Sequence, residues 1–250
     1  MVFWGFNMTI FNLDEVYNIV NEKIENRADF ILKLLNKLDR GRNTNYSNLP
    51  PIIILDGMDG AGKGVYKDLI IKYLISKGYK VDCVKEPGDY MRKEILKTIN
   101  KKGDPWVATA LFILDRKYQY NKLTECKFDK KTVLVFDRSY ISTLVYQSAQ
   151  GIDFNVLLKL HDFVPKHKLA FVFVCDPLVA RKRILERAVK EGKEIDEFEK
   201  LEFLKKTKEG FTDVINHIEH SYLIDTTGDE KDIPKIFDKV SKILDEKIDF

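Results

Sequence analysis

Only three cysteines occur among the 250 residues, Cys83, Cys126 and Cys175, and no two of them form a C-x-x-C pair. That scarcity excludes a disulfide scaffold, a zinc knuckle and a dithiol redox motif, and it predicts a reducing compartment. Long apolar runs are missing too. The longest, Leu169 to Cys175, spans seven residues, against the roughly 20 that a bilayer-crossing helix needs, so no membrane partner is expected. Neither sign of charge dominates: Lys and Arg number 42, Asp and Glu 39, and the net charge is +3. The lysines are spread along the chain, which argues against a nucleic-acid partner. The four histidines, His161, His167, His217 and His220, show no metal-binding spacing and read as ordinary helical residues. Met1 to Phe11 is apolar but has no basic leader and is followed by Asp14 and Glu15, so it does not read as a signal peptide. A cytoplasmic protein is expected. With 44% hydrophobic and 32% charged residues and seven prolines, the composition is that of a globular chain long enough to bury a sizeable core.

From Leu13 the apolar positions Val16, Val20, Ile24, Ala28, Ile31, Leu35 and Leu38 recur in steps of three and four, the stripe of one helix. Asn12 with Glu15 three residues on reads as its cap, and Gly41 as its end. This helix is expected to be an appendage. A polar connector, Arg42 to Asn48, then meets Pro50 and Pro51, which force extended geometry. The boundary predicts an extension over 1–48 and a domain over 49–250.

Beyond it, short runs rich in β-branched residues alternate with longer amphipathic stretches, as when parallel strands are covered by helices on both faces. Strands are predicted at Ile52 to Leu55, Val81 to Val84, Thr132 to Phe136, Leu169 to Cys175 and Tyr222 to Ile224. Helices are predicted near 63–77, 90–101, 105–122, 142–149, 154–162, 178–191, 197–219 and 230–247. The fold class is therefore α/β, with a five-stranded parallel sheet and an N-terminal helical extension. An open sheet of this kind binds ligand at the carboxyl ends of its strands.

Directly after the first strand comes Gly57-Met58-Asp59-Gly60-Ala61-Gly62-Lys63-Gly64-Val65, followed by a helix. G-x-x-x-x-G-K in that context is a phosphate-cradling loop: its glycines let successive N–H groups converge on phosphate oxygens at a helix N-terminus, and Lys63 reaches the β and γ groups. The Ser or Thr that should end the loop and ligate Mg2+ is absent, with Gly64 and Val65 in its place. Asp137, at the end of the third predicted strand, lies where a Mg2+-water ligand would have to be, and Arg138 beside it suits a two-pronged grip on phosphate.

These residues resemble the thymidylate kinase family of nucleoside-monophosphate kinases, from about Pro51 to the C-terminus. The resemblance is carried by the loop with its internal Asp59, Glu86-Pro87-Gly88, Phe112-x-x-x-Arg116, Asp137-Arg138 with Ser142 and Tyr146, Asp176-x-x-x-Ala180-x-x-Arg183-x-x-x-Arg187 and Asp196-x-Phe198-Glu199, in the family's order. It implies a P-loop kinase fold, ATP and Mg2+ as cofactors, small-molecule nucleotides as partners and a homodimer. It also implies a transfer of phosphate from ATP to thymidylate. Phe112 would stack on the pyrimidine and Arg116 hydrogen-bond its carbonyl. Asp59, Glu86 and Tyr146 would line the acceptor site, Arg138 would take the acceptor's 5′-phosphate, and Arg183 and Arg187 would act from a lid over Arg181 to Lys193. The family's Glu-Pro-Gly is usually followed by Gly-Thr or a nearby arginine, where this chain has Asp89-Tyr90-Met91 before Arg92.

Two other readings stand beside it. The Gly57-Met58-Asp59-x-x-Gly62-Lys63-Gly64 loop and Phe136-Asp137-Arg138-Ser139-Tyr140 are also similar to the family-2 polyphosphate kinases, in which Asp59 and Asp137 would share Mg2+. A nucleotide-binding protein without catalysis is the third.

Overall fold

The computed structural model describes residues 12–39, 45–100, 103–192 and 199–248. The chain divides into two compact units. A helical unit is made of Met1–Leu49, Pro87–Lys127 and Gln150–Pro165, and a sheet unit of Pro50–Glu86, Phe128–Ala149 and Lys166–Phe250.

The sheet unit carries five strands: β1 (Ile52–Gly57), β2 (Lys80–Lys85), β3 (Thr132–Asp137), β4 (Leu169–Val174) and β5 (Ser221–Asp225). All neighbours run parallel, in the order β2-β3-β1-β4-β5. β1 and β4 are buried along their whole length, which is why each reads in the sequence as an unbroken apolar run rather than an alternation. Leu55 pairs with Asp137, and Lys85 with the same residue from the other side. The carboxyl ends of β1, β2 and β3 are therefore level, and the strand order reverses beside β1, the place where such sheets take ligands. The helices of this unit are α3 (Lys63–Ser76), α6 (Tyr140–Ala149), α8 (Pro177–Glu191), α9 (Leu201–Val214) and α10 (Ile233–Lys247). Helix α8 is punctuated at both ends: Asp176 caps the Leu178 and Val179 N–H groups, Pro177 occupies the first turn, and Gly192 closes the helix in the left-handed region.

The helical unit holds α1 (Leu13–Tyr17), α2 (Arg27–Asp39), α4 (Asp89–Asn100), α5 (Pro105–Leu123) and α7 (Phe154–Leu160). The N-terminal segment is no appendage. Val16, Ile19, Ile31, Leu34, Leu35 and Leu38 share one apolar core with Ile95, Leu111, Leu114 and Leu160. Nor is it one helix. Short 3-10 turns at Asn18–Asn21 and Ile24–Asn26 interrupt it, with Glu22 and Lys23 extended between them. Arg27 accounts for the break: Nε donates to the Glu22 carbonyl (3.2 Å), Nη2 to the Val20 carbonyl (3.3 Å) and Nη1 to Asp104 (2.7 Å). It thus takes over carbonyls that a continuous helix would have bonded. The break turns Val20 and Ile24 outward and brings Ile19 in. Asn12 does cap α1, accepting from the Asp14 N–H at 2.9 Å, whereas the expected terminator Gly41 lies outside the described residues. Among the described residues, no helix is long and apolar enough to cross a membrane.

Candidate active site

The loop from Gly57 to Gly64 follows β1 and opens α3. Its conformation demands glycine at two positions. Gly57 has φ +135°, and a Cβ there would sit 2.0 Å from the Phe173 carbonyl oxygen; Gly60 has φ +78°, and its Cβ would meet the Ala180 carbonyl oxygen at 2.5 Å. Helix α3 then starts from Gly62 in the left-handed region, with no side-chain cap on its first turn, an arrangement of main-chain N–H groups and helix dipole that suits an anion. Three side chains hold the loop from behind. Thr226 donates its hydroxyl to the Ala61 carbonyl (2.8 Å), Arg183 Nη1 donates to the Gly60 carbonyl (3.3 Å), and the Cys175 thiol lies 3.7 Å from that same carbonyl.

Asp56, fully buried at the end of β1, organises the neighbouring strand end. It accepts from the Gly57 N–H (2.8 Å), the Ser142 N–H (2.9 Å) and the hydroxyls of Ser139 (2.7 Å) and Ser142 (2.5 Å). Four donors on one carboxylate fix the start of α6 against the phosphate loop. Arg138 is held in that frame with φ +71°, a conformation that costs a non-glycine residue about 1–3 kcal/mol. Its guanidinium pairs with Asp59, donates to the Ser142 hydroxyl (3.2 Å) and lies 5.7 Å from the centre of the Tyr146 ring. Asp59 also accepts from the Tyr146 hydroxyl (2.9 Å). Burial alone would raise the Asp59 carboxyl, but Arg138, then Lys63 and Tyr146, outweigh it and hold it ionised below its usual range. Tyr146 is pushed well above its ordinary value by burial and by Asp59.

Lys63 is pushed down to about 8, first by burial and then by the Arg138 charge, with Asp59, Asp56 and Asp137 pulling the other way. Asp137 accepts from Lys67 Nζ at 2.7 Å; burial would raise its carboxyl, yet that hydrogen bond and the Lys63 charge keep it below its usual range. Glu86, at the end of β2, is buried, and its N–H donates to the Asp137 carbonyl (3.0 Å).

Arg183 and Arg187 take different places on α8. The Arg183 guanidinium donates to the carbonyls of Gly60, Thr226 (3.0 Å) and Gly228 (2.5 Å), so its geometry is that of a clamp on the loop's underside. Arg187 is half exposed, pairs with Glu199 (2.6 Å) and is close enough to help lower Asp59. The lid expected over Arg181 to Lys193 is helical through Glu191; Lys193, Asp196 and Phe198 lie outside the described residues.

Phe112 and Arg116 belong to the helical unit, on one face of α5. Phe112 is half-buried against the apolar core, and Arg116 is 1% exposed with Nη1 2.7 Å from His161 Nε2. One residue before it, Asp115 accepts from the Gly88 N–H (2.9 Å) and from Gln119 (2.8 Å), which ties the Pro87-Gly88 turn to α5.

A family model described as thymidylate kinase matches residues 55–235. The chain is 31% identical over 195 residues to a probable thymidylate kinase of Archaeoglobus fulgidus, covering 78% of this chain and 94% of that one. It is 34% identical over 187 residues to a thymidylate kinase of Desulfotalea psychrophila, covering 72% and 91%. The chain belongs to the thymidylate kinase family. A further thymidylate kinase, from Mycoplasma capricolum, is 29% identical over 206 residues, or 78% of this chain and 95% of that one.

Within this thymidylate kinase family member, several groups that shape the site carried no motif signal. Asp56 stands in the sequence just past the predicted strand Ile52 to Leu55, and Thr226 between the predicted strand Tyr222 to Ile224 and the helix near 230–247. Lys67 reads as one solvated lysine of a helix. A strand-terminal Asp followed at a distance by Ser-x-x-Ser was the one available cue, because those hydroxyls are the donors Asp56 takes. His161, read as an ordinary helical residue, is buried and bonded to Arg116.

Proposed function

We infer that this protein transfers the γ-phosphoryl group of ATP to dTMP, giving ADP and dTDP. The observation that carries the reading is the glycine-built anion loop with Lys63 and Arg138 beside it, both cations embedded in the Asp59–Asp137 carboxylate set. In this reading the loop N–H groups and Lys63 bind the donor's β- and γ-phosphates. Arg138, held by Asp59 and Ser142, receives the 5′-phosphate of the acceptor, while Glu86 and Tyr146 line the acceptor's surroundings. A phosphate oxygen of dTMP forms the new bond to the γ-phosphorus as the bond to the β–γ bridging oxygen breaks, and the electron pair leaves with ADP. Charge spreads over the equatorial oxygens, so stabilisation comes from placed cations rather than from a protein base. Lys63 and Arg138 supply two and Arg187 a third; Arg183 serves by holding Gly60 in position. Phe112 and Arg116 recognise the base.

The donor set suits Mg2+: Asp137 is an ionised oxygen donor at a strand end, as a water-mediated ligand must be, and the metal needs only one or two carboxylates besides phosphate and water. Bound there with ATP, the ion would neutralise phosphate charge. Asp137 would hold it through the carboxylate oxygen that Lys67 does not take, and Gly64 leaves the loop's usual hydroxyl out. Partners are small nucleotides, and the protein is read as a cytoplasmic homodimer.

The test is ADP release with a panel of nucleoside monophosphates as acceptors and ATP or polyphosphate as donor. Turnover with dTMP and ATP well above every other combination is expected. No ADP formed with any monophosphate, or turnover only with polyphosphate, would contradict the reading.

A further inference from the structure

We propose that His161 is a positioning residue for base recognition, a neutral imidazole that aims Arg116 at the acceptor pyrimidine without cancelling its charge. The proposal rests on the reading that Arg116 hydrogen-bonds the base.

The direction of each hydrogen bond follows from chemistry. His161 Nδ1 lies 2.7 Å from the Leu157 carbonyl one turn back along α7. A carbonyl can only accept, so Nδ1 carries the hydrogen. Nε2 lies 2.7 Å from Arg116 Nη1; a guanidinium can only donate, so Nε2 must offer its lone pair. Both demands are met by one neutral tautomer, and the last turn of α7 selects it. Burial and the adjoining Arg116 charge push the imidazole down to about 3, so the ring stays neutral. His161 is 4% exposed and Arg116 1%, and the Phe163 ring lies against the imidazole with centroids 6.3 Å apart and planes 28° from parallel.

The residues flanking Arg116 are anchored as well. Asp115 holds the Gly88 N–H. Lys117 pairs with Asp39 at 3.0 Å, and its ammonium lies 5.2 Å from the Tyr46 ring centre and 4.9 Å from that of Phe163. The turn of α5 bearing Arg116 is thus fixed on both sides, and the bond to His161 holds the Nη1 arm of the guanidinium fork. An arginine carries about 2 kcal/mol of rotamer entropy, and holding one arm before the ligand arrives lowers the cost of binding. A carboxylate at position 161 would orient the fork too, but it would draw the charged donors to itself and compete with a neutral base carbonyl. An imidazole orients without that competition.

The experiment is steady-state kinetics on the full chain with Arg116→Ala, His161→Leu, His161→Gln and His161→Asn. His161→Leu should raise KM for dTMP about tenfold, with kcat and KM for ATP within about twofold of the parent. His161→Gln, whose side-chain oxygen can accept from Arg116, should recover most of that loss; His161→Asn, too short to reach, should not. Should the leucine variant fail to fold, the Gln-against-Asn order in KM for dTMP carries the test. In the Arg116→Ala background, His161→Leu should add nothing. An unchanged KM for dTMP in His161→Leu, an equal shift in KM for ATP, or Asn performing as well as Gln would overturn the positioning role. Arg116→Ala with an unaltered KM for dTMP would instead overturn the base-recognition reading beneath it.

Discussion

At the scale of single residues, the site is a set of charges whose values are set by one another. Lys63 is depressed to about 8 because it is buried beside Arg138. A depressed lysine loses its proton as pH rises through that value, and with it the charge that the proposed function has it offer to phosphate. The kcat/KM for ATP should therefore fall on the alkaline side with an apparent pKa near 8, and Arg138→Gln, which removes the charge that adds to the depression, should move that limb to higher pH. A profile flat from about pH 7 to about pH 9.5, or an Arg138→Gln shift to lower pH, would contradict the electrostatic account. Residue identity was legible in the sequence where a motif fixes backbone and side chain together, as in Gly57 to Lys63. It was illegible where the side chain's direction decides its role. Arg183 and Arg187 sit four apart on one helix and read alike, yet one is bonded to three carbonyls and the other reaches out to Glu199. No local pattern distinguishes a guanidinium that returns to the main chain from one that leaves it. Nor does any pattern announce that Arg138 adopts a positive φ, because its partner Asp59 comes from the end of another strand.

At the scale of elements, the loop and its two glycine classes make a contrast. Gly57→Ala would press a methyl into the Phe173 carbonyl, so the loop must shift and the variant should lose ATP affinity and at least about 2 kcal/mol of stability. A Cβ added to Gly64 would meet nothing within 4 Å, and the residue has no positive φ, so Gly64→Ser should fold normally and bind MgATP at least as well as the parent. KM for ATP and urea midpoints of the two variants check this; the opposite ranking would mean that the loop does not hold this conformation. The central strands β1, β3 and β4 were legible because strands buried on both faces leave apolar runs, whereas the partly exposed edge strands β2 and β5 showed only as short β-branched or aromatic stretches, Val81 to Val84 and Tyr222 to Ile224. The N-terminal segment was misjudged because its three-and-four spacing continues through Val20 and Ile24, while the carbonyl bonds that end the helix come from Arg27. Leu35 is buried in the core of the helical unit, so Leu35→Ala should cost about 2–4 kcal/mol in urea unfolding. A change below about 0.5 kcal/mol would return the segment to the status of an appendage.

At the scale of the whole molecule, two units are each assembled from three stretches of chain. Apart from the crossing at Leu49 and Pro50, beside the polar Arg42 to Asn48 connector, their division left no trace in composition, since charged and apolar residues alternate across residues 87, 128, 150 and 166 much as they do elsewhere. What the sequence did disclose was the order of motifs along the sheet unit, because each follows a strand and the strands are self-evident. The family match over residues 55–235 spans stretches of both units, and the segment before it contributes core rather than motif. In the proposed function, activity turns on the pairing of Lys63 with a substrate phosphate. The most direct measurement is product analysis of the full chain incubated with ATP and dTMP, for the parent and for Lys63→Ala. We predict one dTDP for each ADP from the parent and a kcat at least about a hundredfold lower for the variant. ADP without dTDP, or a Lys63→Ala protein that turns over as fast as the parent, would contradict the account.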